Sequence, residues 1–346
     1  MATKRTHKVF QQGKRHWELI PAVSRSGGLD KEGDTLKDFK VQEEYYRFIC
    51  TKVAFYWKEY PCPSADGDVK RKQESQANIL ILFRKLREGL QSTNRTDAFA
   101  LDVYENSLHL SILFHSTNQA TSILSHLLQR SFALSSQSST LRAQRITVLS
   151  LLHNILVGYP SQSRYYEQLY SLPRHILPRD SCASQWLHKL TRSLRTRDYA
   201  VLQDLTSCEA FKGIFPDTVD GAQPVTTLPG APTNLSLEAA CTLVDEIRNK
   251  ARETTWTILR SAYRELQCLP NTEARHDKDI DSLTSNWLLR SLALRPITSS
   301  MDDVDSYALI EEWLVRRCTQ GEVRRKEGHG MEDKWIICKA PAKGGS

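Results

Sequence analysis

Seven residues near one end of this chain have the types and spacing to handle a phosphate backbone. They are Arg316, Arg317, Arg324, Arg325 and Lys326, followed a short way on by Lys334 and Trp335. Guanidinium and ammonium groups neutralise phosphates, and an indole offers a face on which a base can stack. Two of these residues also admit a local reading. Glu312 stands one helical turn before Arg316, the spacing of an intrahelical ion pair. Trp335 alternates with Ile337, the spacing of a buried strand face.

Other chemistry finds no motif. The chain contains no GxSxG elbow, P-loop, HExxH or dinucleotide glycine fingerprint. Its ten histidines are scattered, and the six-residue separation of His109 and His115 does not put them on one helix face. Eight cysteines, at positions 50, 62, 182, 208, 241, 268, 318 and 338, form no CxxC pair. Most sit beside apolar residues in helical patterns, which suits small buried hydrophobes in a reducing compartment better than a zinc site or a disulfide framework. The expectation is a non-enzyme, with no catalytic residue, metal or cofactor.

The cationic residues need a scaffold, and the local sequence supplies the pattern of one. Ile280 to Leu294 reads as a helix with Leu283, Trp287, Leu288 and Leu292 apolar, stopped by Pro296. Asp302 or Asp303 can cap a second helix, Val304 to Cys318, whose Tyr307, Ile310 and Leu314 face a core, with Gly321 as its stop signal. Glu322 to Lys326 and Trp335 to Lys339 then read as two short strands about Gly328-His329-Gly330. Helix, helix and terminal hairpin are the pattern of a winged helix.

Upstream most of the chain reads as helical. Residues 1–36 are rich in Lys, Arg, Gly and Ser and read as a flexible basic arm. From Phe39 to about Tyr60 an aromatic helix carries Tyr45, Ile49, Val53 and Tyr56, ended by Pro61 and Pro63. The next helix begins near Val69. It is expected to end in a turn over Gly89 to Asn94, with Thr96 or Asp97 capping a third. That third helix has two apolar faces, Leu101, Tyr104, Leu108 and Ile112 against Phe99, Val103, Leu110 and Phe114, so it should pack between two neighbours, as in a stacked array.

Ala120 to Phe132 and Leu141 to Val157 follow, joined by a Ser/Gln-rich loop at Ser135 to Thr140. A short helix holds Tyr165, Tyr166, Leu169 and Tyr170. A longer one, Ser184 to Leu205, buries Trp186, Leu187, Leu190 and Leu194 and turns Arg192 and Arg195 outward. The proline-rich stretch 216–235 is expected to be a boundary loop. After it Ser236 can cap a helix running from Leu237 to about Gln267, with Trp256, Leu259 and Tyr263 on its buried face and Glu238 and Glu246 solvated.

The stretch around residues 83–110 resembles a known family. Arg87, Leu90, Val103, Tyr104 and Glu105 fall, without a gap, where the Sac-three/GANP family of PCI-type proteins carries Ile-Arg-Gln-Asp-Leu-Thr-x-Gln followed by Val-Tyr-Glu. Leu86 replaces the isoleucine. Glu88, Gly89, Gln91 and Thr93 depart from the pattern, as does Ser107-Leu108-His109 where the family continues His-Ala-Arg. Arg197 to Leu202 also looks like the family's Asn-Tyr-x-x-Phe-Phe region, where Tyr199 would take a structural role. The resemblance covers roughly residues 35–340 and implies stacked helical hairpins over 37–215, a linking helix and winged helix over 236–340, and a tail at 341–346. It further implies a scaffold that couples transcription to mRNA processing or nuclear mRNA export. Its partners would be a second PCI-domain protein, a small acidic disordered subunit, and single-stranded RNA or other nucleic acid. A centrosome or spindle adaptor, and a subunit of a proteasome-lid-like or translation-initiation assembly, are the other roles it leaves open.

Composition is compatible with this. A 346-residue chain with a 40% apolar fraction can build a sizeable core, and a net charge of +7 suits an acidic partner or nucleic acid. No signal-peptide core opens the chain. Its longest apolar stretch, Ile146 to Val157, is too short to span a bilayer and is interrupted by Ser150, His153 and Asn154. The expected location is nuclear, with cytoplasmic or centrosomal as the alternative, and no membrane.

Overall fold

A computed structural model of the chain describes residues 17–23, 35–61, 69–131, 137–207, 210–211, 214–215, 228–268, 283–297, 305–328 and 334–339. Outside the described residues lie most of the expected arm, residues 216–227 of the proline-rich stretch, Asp302 and Asp303, the hairpin tip at His329 and Gly330, and the tail 341–346. The described chain is mainly helical with one three-stranded antiparallel sheet. It divides into two compact units, residues 1–123 with 223–235, and residues 124–222 with 236–346.

The first unit contains α1 (Phe39–Glu59), α2 (Val69–Ser92), α3 (Ala98–Leu113) and the start of α4 (Thr117–Ser131). Helix α1 opens on Asp38, whose carboxylate accepts from the N–H groups of Lys40 and Val41 at 2.7 and 3.2 Å. Its Tyr45, Ile49, Val53 and Tyr56 are buried, as their spacing predicts. Helix α2 does not turn at Gly89. It continues to Ser92, and the turn is confined to the residues around Thr93 and Asn94, the latter at φ +49°. Gly89 serves close approach instead: a Cβ there would lie 2.8 Å from the Leu36 carbonyl oxygen, so glycine lets the segment Thr35–Lys37 sit against the helix.

Asp97 is the cap of α3, accepting from the Ala100 N–H at 3.0 Å. On both apolar faces of that helix most residues are buried, with Phe99, Leu101 and Phe114 half-buried, and the polar residues Glu105, Asn106, Ser107, His109 and Ser111 are buried as well. Two segments expected to be irregular also dock in this unit. Trp17 lies 6.0 Å from the Tyr45 ring and Lys85 donates to the Ile20 carbonyl at 2.7 Å. Leu228 is buried, and Gly230, at φ +75°, packs against Ala54.

The second unit holds the rest of α4, then α5 (Gln137–Gly158), α6 (Ser163–Ser171), α7 (Cys182–Thr196), α8 (Tyr199–Leu205), α9 (Leu235–Ala262, all but its first residue), β1 (Glu265–Gln267), α10 (Leu283–Ser291), α11 (Ser306–Thr319), β2 (Val323–Arg325) and β3 (Lys334–Ile337). Several local expectations are corrected here. Helix α5 begins inside the Ser/Gln-rich stretch, at Gln137. The single helix expected over Ser184 to Leu205 is two: Arg197 adopts the left-handed conformation at φ +58°, and Asp198 caps α8 by accepting from the Val201 N–H. The Trp186 indole closes this α7–α8 hairpin with a 2.8 Å bond to the Leu205 carbonyl.

The long helix α9 already includes Leu235, so Ser236 is buried within it and is not a cap. It also stops at Ala262, and the residues expected to finish it form β1. Tyr263 is consequently 45% exposed instead of buried. Glu238 and Glu246, expected to be solvated, are half-buried. Helix α11 is capped by Asp305, which accepts from the Tyr307 N–H at 2.9 Å, and not by an earlier aspartate.

Candidate nucleic-acid interface

The seven C-terminal residues sit on or beside a sheet of order β1-β3-β2, antiparallel throughout. Leu266 pairs with Trp335 and Val323 with Ile337, so these residues share the inner face, joined in one core by Trp256, Leu288, Ile310 and Trp313. Gly321, at φ +72°, ends α11 as expected. The Glu322 N–H returns to the Arg317 carbonyl at 3.0 Å and the chain enters β2.

At the centre of the module is a carboxylate that the sequence did not single out. Glu322 accepts from the Trp256 indole at 2.7 Å, from Arg260 at 2.6 Å and from Arg317 at 3.2 Å. Arg317 also bonds Glu253 and stacks 4.0 Å from the Trp313 ring. Two further arginines of α9, Arg248 and Arg252, donate to the carbonyls of Leu292, Ala293 and Arg295 just past the end of α10. Burial holds the Arg248 guanidinium down at about 10, with Arg252 beside it acting in the same direction. Their four-residue spacing within an apolar stripe was the available signal: a cation in a buried row needs oxygen partners.

The proposed phosphate contacts separate on this frame. Arg317 is 5% exposed and committed to Glu253 and Glu322, so it presents no charge to a ligand. Trp335 is 3% exposed in the core, with Arg325 over its ring at 5.1 Å, and has no face free for a base. Arg316 pairs with Glu312 at 2.8 Å, Arg325 with Glu311 at 2.5 Å, and Lys326 with Glu265 at 3.0 Å. Among the described residues only Arg324 and Lys334 of the seven have no carboxylate partner. Both belong to the outer face of the sheet, Arg324 opposite Ile336 and Lys334 opposite Gln267. The sequence could not show this, because Glu253, Glu265 and Glu311 are distant along the chain.

The five residues of the family-like motif lie in the first unit and are all buried: Arg87 and Leu90 on α2, Val103, Tyr104 and Glu105 on α3. Arg87 donates to the Gln119 side chain at 3.1 Å. Burial brings its guanidinium down to about 10 against the opposing influence of the Tyr104 phenol. Tyr199 is likewise buried, and desolvation raises its phenol. Cys50, Cys182, Cys241, Cys268, Cys318 and Cys338 are free thiols. Among the described residues no group of His, Cys, Asp or Glu could hold a metal ion, and no helix is long and apolar enough to cross a membrane. No protein-family model, curated protein or solved structure matches the chain.

Proposed function

We propose that this chain is a non-enzymatic scaffold subunit of the Sac-three/GANP kind, a stacked helical array leading into a winged helix. In this role it couples transcription to mRNA processing or nuclear mRNA export through a second PCI-type protein, a small acidic disordered subunit and RNA. The observation that carries the reading is the connectivity of the last part of the chain. Helix α9, strand β1, helices α10 and α11, and strands β2 and β3 follow one another, and the last strand lies between the other two. A winged helix has its helices and strands in this order, which supports the reading. The packing of α1 on α2 and α2 on α3, with α7 on α8, supports the array.

The test is affinity purification of the tagged full chain together with imaging. Nuclear enrichment and co-purification with a PCI-type protein at equal stoichiometry are expected. Centrosomal enrichment would move the reading to the spindle adaptor, and recovery of proteasome-lid or initiation-factor subunits to those assemblies. Direct RNA contact at the sheet is tested by Arg324→Gln with Lys334→Gln. Each released phosphate contact lowers the salt slope by about 0.7 for a single strand, so two lost contacts should flatten it by about 1.4.

A further inference from the structure

The C-terminal cations are largely neutralised, but another basic surface in the second unit is not. Helix α7 contains no aspartate or glutamate. Its apolar residues Ala183, Trp186, Leu187, Leu190 and Leu194 are buried, and the opposite positions Lys189, Arg192 and Arg195 are exposed. None of these three cations has a carboxylate partner among the described residues. Spacings of three place them on one face. At 1.5 Å of rise per residue they span about 9 Å of axis, the length of about three phosphates of one strand at duplex spacing.

An aromatic element adjoins this helix. The Gln162 amide, at the start of α6, donates to the Thr191 carbonyl of α7 at 2.8 Å. One turn further along α6, Tyr166 and Tyr170 stack with ring centroids 6.1 Å apart and an interplanar angle of 24°. Tyr170 is 81% exposed. A large ring left in water, on a helix bonded to one whose arginines have no carboxylate partner among the described residues, has the composition of a surface that tracks a strand and stacks its bases.

We infer that the outward face of α7, with the Tyr166 and Tyr170 rings of α6, binds single-stranded nucleic acid. An acidic helix is the competing ligand for such a charge stripe, and it would need apolar anchors alongside the cations. The outward positions of α7 provide none, and α6 adds only the Tyr166 and Tyr170 rings, whose stacked flat faces suit bases better than aliphatic side chains. Arginine predominates, and its planar fork matches phosphate oxygens in pairs. This inference is independent of the scaffold reading, because the face belongs to neither the terminal sheet nor the family-like motif.

The test measures binding of labelled oligouridine to the full chain across salt concentrations, with a matched RNA duplex and polyglutamate as comparison ligands. Replacing Lys189, Arg192 and Arg195 by Gln should flatten the salt slope by about 2, three contacts at about 0.7 each. The melting temperature should be unchanged, since the positions are exposed and glutamine is a good helix former. Arg192→Gln and Arg195→Gln alone, each lowering the slope by about 0.7, give the same reading if the triple variant folds poorly. Tyr170→Ala should weaken oligouridine about tenfold at constant slope, the order of one stacked base. No binding by the unaltered chain, an unchanged slope in the α7 variants, or undiminished affinity in Tyr170→Ala would overturn the inference. So would equal binding of the duplex. Polyglutamate bound as tightly as oligouridine, and lost with it in the triple variant, would mark an acidic-protein surface instead.

Discussion

Glu322 draws together three elements of the terminal module: α9 through Trp256 and Arg260, α11 through Arg317, and the sheet through its own backbone bond with Cys338. Removing its carboxylate leaves two guanidinium groups without their shared counter-charge. Glu322→Ala should therefore cost about 3 kcal/mol, read by chemical denaturation, with Glu322→Gln recovering only part of it. Trp335→Ala should act the same way, through stability. Its ring is buried, so a loss of about 3–5 kcal/mol is expected, with no separate effect on RNA affinity in the folded fraction. A third residue sets a pH limit. Burial lowers the His153 pKa below its ordinary value, against the opposing influence of Glu246. The unfolded chain thus takes up the proton first, at about pH 6.5, and the native state loses stability as pH falls from there through the depressed native value. His153→Gln should flatten that decline between neutral pH and pH 5 in parallel thermal melts.

Among the elements, Gly89 decides between two opposed effects. In a helix interior Gly→Ala normally gains about 1 kcal/mol, but here the added Cβ would meet the Leu36 carbonyl at 2.8 Å. Because the obstacle is backbone and not a flexible side-chain tip, Gly89→Ala should be destabilising by about 1–2 kcal/mol net, detectable as a lower denaturation midpoint. The same glycine illustrates how far sequence reading reaches. Helix α1 was legible because Tyr45, Ile49, Val53 and Tyr56 recur at helical spacing before Pro61, α3 because Asp97 precedes a long apolar periodicity, and the buried row of α7 because Trp186, Leu190 and Leu194 recur likewise. Gly89 was misread as a turn because glycine signals turns and close contacts alike, and the contact here comes from more than fifty residues away. The break at Arg197 carries no glycine to announce it. Strand β1 is three residues long, too short for alternation to show, and its partner lies near the end of the chain. The basic edge was legible in composition only, since what neutralises Arg317, Arg325 and Lys326 are carboxylates brought in by folding.

At the scale of the whole molecule, the two basic surfaces differ in kind. One is laced with acidic partners and holds a module together, while the other has none among the described residues and faces water. A scaffold built this way would keep its terminal module rigid for protein contacts while leaving α6 and α7 to a polyanion. Measuring partner binding and oligouridine binding in the same set of variants would show whether the two uses are separable, with additive effects expected for surfaces that share no partners. The sheet imposes a further consequence during synthesis. Its middle strand is the last to emerge from the ribosome, and β1 and β2 each pair only with it. Until Lys334 to Ile337 are translated, Leu266 and Val323 have no strand to cover them, so a message cut short just before this point would yield a product whose upstream helices can pack but whose final module stays open to chaperones and proteases.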